Sequence, residues 1–189
     1  TASYCATLTP NGGGSSTTCS QQNTGPDYSA YAIWSGYRSA ADITINSGEN
    51  FEINQITVHL FSQSSSNTIY SVDVEYYTDT AGMPGTLIGS ETIYPTSQTY
   101  LGAWSTNSSY SRYEAIFTLT PFTFNGQSNI NTTYWIALTN NSSSGGNMWW
   151  EYTDTISGYG RNHSNPNGGW NYSSTYDHVY EFSGNCISI

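Results

Sequence analysis

Phe51-Glu52-Ile53-Asn54-Gln55-Ile56-Thr57-Val58-His59-Leu60-Phe61 is the most regular stretch of the chain. From Gln55 onward polar and apolar residues alternate, which places Ile56, Val58 and Leu60 on one face of an extended backbone. That period belongs to a β-strand with one side buried. The adjacent polar pair Asn54 and Gln55 interrupts it and predicts a bulge or bend at that point. Ile69 to Tyr77 repeats the pattern, with Val72, Val74 and Tyr76 inward and Ser71, Asp73 and Glu75 outward. Asp79-Thr80-Ala81-Gly82-Met83-Pro84-Gly85 then supplies Gly and Pro where a tight reversal needs unusual or preset φ.

Working outward, further strands are expected at Thr86 to Tyr94, Tyr113 to Phe124, Tyr134 to Leu138, Met148 to Tyr152 and Val179 to Phe182. The total is about eight, in short segments with turn residues between them. A polar connection holding Tyr100, Trp104 and Tyr110 and a long Gly- and Asn-rich stretch from Ser157 to Tyr176 separate some of them. Helical periodicity is absent. The pattern predicts an all-β protein with a single antiparallel β-sandwich, jelly-roll-like, over residues 28–189. Thr1 to Gly25 holds little apolar surface to offset its ordering entropy, so residues 1–27 read as an irregular polar N-terminal arm.

The chain of 189 residues contains no lysine, yet it carries 17 tyrosines and 6 tryptophans, and only 8% of its residues are charged. An ordinary domain has about a quarter. Hydroxyls and amides must hydrate the surface, which presents many flat aromatic faces and little charge repulsion between neighbours. A formal charge of −10 opposes nucleic acid and anionic membrane surfaces as partners. No apolar run approaches the roughly 18 residues of a membrane span, so membrane insertion is not expected. Thr1 opens on no basic and apolar leader, and the chain reads as a processed, soluble one.

Cys5, Cys19 and Cys186 are the three cysteines, and a secreted-looking composition favours an oxidised pair over a metal site. The pairing stays open at this level. A Cys5–Cys19 bond would close a loop worth about 3 kcal/mol of chain entropy. The third thiol would be buried or bonded to another molecule.

Several stretches together are similar to a domain of secreted Bacteroidota proteins, often exported by the type IX pathway. They are F-E-I-N-Q-I-T-V at 51–58, Y-Y-T-D-T-A-G-M-P-G-T-L-I-G-S-E at 76–91, P-T-S-Q-T at 95–99, T-P-F-T-F-N-G at 120–126, T-T-Y-W-I-A-L at 132–138 and V-Y-E-F-S-G-N-C at 179–186. The resemblance implies an extracellular sandwich domain, usually an accessory or surface module, and carries no catalytic residues over. No sorting domain follows Ile189, which suggests its removal or another export route. In that setting Asp79-Thr80-Ala81 and Asp154-Thr155-Ile156 look like O-glycosylation signals, making Thr80 and Thr155 candidates. Asn-x-Ser/Thr sequons begin at Asn107, Asn131, Asn140, Asn141, Asn162 and Asn171.

Catalytic constellations are weak. His59, His163 and His178 sit in no ligand or base spacing, and no G-x-S-x-G elbow occurs. Asp73 with Glu75, and Glu151 with Asp154 and Asp177, are the carboxylate groupings a glycosidase would require, but neither lies in a recognisable pattern. No cofactor is expected; Ca²⁺ held by Asp73, Asp79 and nearby carbonyls is the one candidate. The chain therefore reads as non-enzymatic.

The aromatic residues carry more. Trp149 and Trp150 are successive strand residues, so only one of them can enter the core. With Tyr159, Arg161, Trp170, Tyr172 and Tyr176 they form a candidate glycan platform, on which sugar rings would stack while amides orient the hydroxyls. The aromatic segment Tyr28, Tyr31, Ile33, Trp34 and Tyr37 would dock as an edge strand on its own domain or on a neighbour, and is the candidate self-association surface. Two functions follow from these features: a self-associating structural or adhesive subunit of a cell-surface or secreted extracellular fibre, whose partners are copies of itself, or a carbohydrate-binding module whose partner is a polysaccharide.

Overall fold

The computed structural model of the chain describes residues 16–25, 29–63, 68–105, 107–140, 146–166 and 168–189. Its strands in chain order are Ser16–Asn23 (β1), Ser29–Ala32 (β2), Arg38–Ile45 (β3), Glu49–Ser62 (β4), Val72–Asp79 (β5), Pro84–Ile93 (β6) and Ser97–Trp104 (β7). There follow Asn107–Phe124 (β8), Thr132–Thr139 (β9), Met148–Thr153 (β10), Asn162–Ser164 (β11), Trp170–Tyr172 (β12), Asp177–His178 (β13) and Tyr180–Ser188 (β14). No helix occurs among the described residues.

Two antiparallel sheets pack face to face as a β-sandwich. The first holds eight strands: β4 pairs with β8, β14 and β10; β8 also pairs with β7, β14 with β1, and β10 with β2 and β13. The second holds six in the order β12-β11-β3-β9-β5-β6. The alternation in Phe51 to Phe61 becomes the centre of the first sheet, with Ile56 and Leu60 fully buried against Val74, Ile43, Ile136 and Leu138 of the second. Val72, Val74 and Tyr76 face that same core, as their spacing predicted.

The bulge lies where the polar pair placed it. Gln55 faces Ser183 of β14 and Ile53 faces Gly184, leaving Asn54 as the extra residue. Against β8 the step from Ile53 to Gln55 corresponds to the step from Phe122 back to Thr118. Pro121 lies within that step, and its missing N–H suits an interruption of the ladder. Gly184 is needed there, since a Cβ on it would come within 1.9 Å of the Glu52 carbonyl oxygen.

Three expectations about chain organisation change. Residues 16–23, read as part of an irregular arm, form β1 because their backbone completes the ladder along β14. The supposed polar connection around Tyr100 and Trp104 is a strand, β7, which pairs with an extended β8. The stretch from Ser157 to Tyr176 contains the short strands β11 and β12, which add two rungs to the edge of the second sheet.

Cys19 and Cys186 form a disulfide, with Cα atoms 5.8 Å apart and 167 residues between them in sequence. Cys19 is therefore not available to Cys5, which lies outside the described residues. The bond fastens β1 to β14, and so both ends of the sandwich domain to one another.

Candidate functional site

The outer face of the second sheet carries a small apolar cluster of Ala40, Tyr77, Trp135 and Ala137, with Trp170 packed against it. Trp135 is fully buried there because the loop between β10 and β11 lies over it. Tyr159 of that loop stacks on Trp135 with ring centroids 6.3 Å apart and an interplanar angle of 27°. The Tyr159 backbone N–H donates to Asp42 Oδ1 at 3.0 Å. Burial, and next the neighbouring Asp177 carboxylate, push the Asp42 carboxyl up to about 8, against hydrogen bonds that favour its charged form. Gly158, at φ +74°, is obligatory in this loop: a Cβ would sit 2.0 Å from Asp42 Oδ2.

Beside Tyr159 stands the reversal between β5 and β6. Ala81 and Gly82 both have positive φ, 54° and 79°. Thr80 and Met83 exchange backbone hydrogen bonds at 2.8 and 3.2 Å. This is a type I′ hairpin turn, the form whose twist suits antiparallel strands. Side chains from elsewhere pin it: Asp79 Oδ2 accepts the Gly82 N–H at 3.3 Å, Asp79 Oδ1 accepts the Trp135 indole N–H at 2.9 Å, and Asn162 Nδ2 donates to the Gly82 carbonyl at 3.2 Å. Ala81, Gly82, Met83, Tyr159 and Tyr172 line a hollow of about 420 Å³.

Of the seven platform candidates, Tyr159 and Tyr172 meet at this hollow, and Trp170 lies on the same sheet face against Tyr77. The others lie elsewhere. Trp150 is the member of the tryptophan pair that enters the core, where it stacks on His178 at 4.0 Å and donates to the Val179 carbonyl. Trp149 points the other way and joins a row of rings with Trp34 and Tyr110. Arg161 is buried between Tyr31 and Tyr152, its guanidinium carbon 4.5 and 5.0 Å from their ring centroids, while Tyr176 packs on Tyr152. Trp150 and Arg161 are thus removed from any ligand surface by burial.

The segment proposed for self-association docks on its own domain. β2 pairs with β10, Ile33 is fully buried, and Ile33 donates to the Met148 carbonyl and accepts from the Asn140 N–H. Tyr31 packs on His163, and Trp34 on Tyr37. Tyr28 lies outside the described residues. Exposed apolar side chains occur instead where the sequence reading placed none: Leu87 and Ile88 on β6, Tyr94 in the connection, and Tyr100 and Leu101 on β7. The Leu87-Ile88 pair breaks alternation on a strand almost free of charge, a signal that was available in the sequence.

Several of the candidate nucleophile and acid–base groups are engaged internally, while Asp154 is exposed and His163 packs on Tyr31. Ser39 Oγ and His178 Nε2 are 2.5 Å apart, but both residues are fully buried beneath Trp150. Glu151, fully buried, accepts from Arg112 Nε at 2.8 Å and lies 2.9 Å from His59 Nδ1. Asp177 accepts from Asn23 and from the backbone of Ser157 and His178, and burial pushes it up to about 6. Asp73 accepts from Thr92, and Glu75 pairs with Arg38 and Tyr77. Among the described residues no three His, Cys, Asp or Glu side chains are grouped to hold a metal ion.

Of the modification candidates, Thr80 is exposed in the hairpin turn and Thr155 is half-buried. Asn107, Asn131 and Asn171 are exposed, whereas Asn140 and Asn162 are buried and inaccessible in the folded chain. Asn141 lies outside the described residues. No family model matches the chain, and comparison with curated proteins finds no match. The likeness to secreted Bacteroidota domains therefore stands on the quoted motifs alone.

Proposed function

We propose that this chain is a non-enzymatic, self-associating structural or adhesive subunit of an extracellular surface or fibre. The observation that carries the reading is the β6–β7 side of the sandwich, where both sheets end in strands with one neighbour each and with exposed apolar side chains. Among the described residues β6 pairs with β5 alone and β7 with β8 alone. Only Tyr94, Pro95 and Thr96 join β6 to β7, and Glu91 of β6 reaches across to accept the Thr120 N–H of β8, so the two edges flank one side. Leu87, Ile88, Tyr94, Tyr100 and Leu101 are exposed along it, with Tyr94 70% exposed.

Monomeric β-proteins blunt such edges with charge, most often lysine. Here there is none, and Glu91, the only charged residue on either strand, is engaged by Tyr76 and Thr120. A second copy of the chain supplies what the edges lack: backbone donors and acceptors in the ladder spacing and apolar side chains of its own. A fully formed disulfide between terminal strands suits an oxidising, extracellular compartment.

Sedimentation velocity and electron microscopy of the purified chain at neutral pH test the proposal. Large assemblies are expected, and Leu87→Lys, at a half-exposed position that leaves the core intact, is expected to reduce them to small species. A wild-type chain that remains monomeric at high concentration with its disulfide formed would overturn it.

A further inference from the structure

We infer that the hollow between Tyr159, Tyr172 and the Ala81-Gly82 turn is a binding site for a neutral pyranose ring of a glycan. This site is separate from the β6–β7 edges and does not depend on self-association. Three elements remote in sequence converge on it: the hairpin between β5 and β6, the loop after β10, and β12. Two of its walls are held before any ligand arrives. The Tyr159 ring is backed by Trp135 and its backbone by Asp42, while the turn is held through Asp79 and Asn162. Such preorganisation lowers the ordering cost of binding. A volume of about 420 Å³ lies within the range of small-ligand sites, which runs from roughly 300 to 1,000 Å³.

Its chemistry selects among occupants. Tyr159 and Tyr172 are 45% and 51% exposed, so their rings offer faces to the CH-bearing side of a sugar, and Met83 adds a polarisable apolar wall. The phenol hydroxyls supply donors and acceptors for ring hydroxyls. Anionic sugars are disfavoured because all three arginines are committed elsewhere: Arg38 to Glu75, Arg112 to Glu151, and Arg161 between Tyr31 and Tyr152. Organic cations are disfavoured because the nearest carboxylates, Asp42 and Asp79, are turned inward onto N–H donors. A neutral, flat-faced polyol matches both restrictions. Gly82 belongs to the design, since a Cβ there would lie 3.2 Å from the Tyr159 ring.

Affinity electrophoresis through gels containing laminarin, mannan, xylan, galactan or dextran, with alginate and tetramethylammonium as charged competitors, tests the inference. Retardation by at least one neutral polysaccharide is expected. It should weaken about tenfold in Tyr172→Ala and in Tyr159→Ala, persist in Tyr172→Phe, which keeps the ring face, and persist in Leu87→Lys, which disables only the proposed edge. Saturation-transfer NMR with the retained glycan should place the strongest contacts on one face of the ring. Retardation by none of the neutral gels, retardation indifferent to Tyr172→Ala, or binding confined to alginate or tetramethylammonium would each overturn it. Near-ultraviolet circular dichroism confirms that the tyrosine variants are folded, so a loss of binding reports on the site.

Discussion

Asp42 and Tyr159 are joined by a 3.0 Å hydrogen bond from backbone N–H to carboxylate, across 117 residues of chain. The bond lets a strand of the second sheet hold the loop that covers Trp135. It also places a carboxyl whose proton is retained to about pH 8 beneath an exposed surface.

Stability should consequently fall as pH rises from 6.5 to 8.5. Up to about pH 8 the folded chain keeps a proton on Asp42 that the unfolded chain, with an ordinary carboxyl, has already lost, so unfolding releases protons and is favoured by alkali, and the decline levels off once the folded carboxyl ionises too. Asp177, raised to about 6, adds the same sign below that pH. There His178, held neutral by burial and well below its usual value, opposes it, because the unfolded chain gains a proton there. Above 6.5 Asp42 acts without that opposition. Urea titrations should show the decline in wild type and a flatter profile in Asp42→Asn, which retains an acceptor for Tyr159. An unchanged slope in Asp42→Asn would refute the assignment.

Gly158→Ala should destabilise the fold by about 1–3 kcal/mol. Its φ of +74° disfavours any side chain, and the new methyl would press on Asp42 Oδ2. Thermal melts measure the cost. The same variant should weaken glycan retention, since Tyr159 is the next residue and loses its support.

Replacing Cys19 and Cys186 together by serine should cost about 2–5 kcal/mol, because a closure of 167 residues strongly restricts the unfolded chain. Urea midpoints with and without reductant measure it in the wild type. A midpoint that ignores reductant would mean that this bond contributes nothing to the fold.

Local features of the fold were legible in the residues. The alternation through Ile56, Val58 and Leu60, the bulge at Asn54 and the turn at Ala81-Gly82 depend on neighbours in sequence, and each appears where its residues are. That one of Trp149 and Trp150 must be buried follows from strand geometry, but which one depends on the direction from which the second sheet packs. Cys186 as the partner of Cys19 depends on β1 lying beside β14, a contact between the two ends of the chain. The glycan candidates scattered for the same reason: composition groups Trp149, Arg161 and Tyr172, whereas the path of the loops sends Trp149 to one sheet, Arg161 into the interior and Tyr172 to the other sheet. The broken alternation at Leu87-Ile88 is visible in the residues, but that β6 and β7 are edges depends on the order of strands in each sheet.

Arg112→Met should be among the most damaging single changes outside the apolar core, at about 3–5 kcal/mol. It leaves Glu151, wholly buried, without its guanidinium partner. Arg112→Met with Glu151→Leu should recover most of the loss, because the desolvated charge is removed together with its counterion. A double variant no better than the single one would show that packing around Arg112, and not charge, dominates.

The β6–β7 side determines how assemblies grow. If two copies joined these sides to each other, the contact would be isologous and would close as a dimer. Growth through this side alone requires it to meet a different surface of the next copy, which leaves one open β6–β7 edge at one end of every filament. A Leu87→Lys chain is impaired on its β6–β7 side but normal elsewhere, so it can still add to that open end, where it presents a lysine to the next arrival. Added at about one tenth of the wild-type concentration, it should therefore shorten filaments out of proportion to its amount, as read by light scattering and by lengths in electron micrographs. In an isologous arrangement the variant would be excluded from the contact and the wild type would assemble unaffected. Proportional dilution of the assemblies, without shortening, would rule out head-to-tail growth through this side.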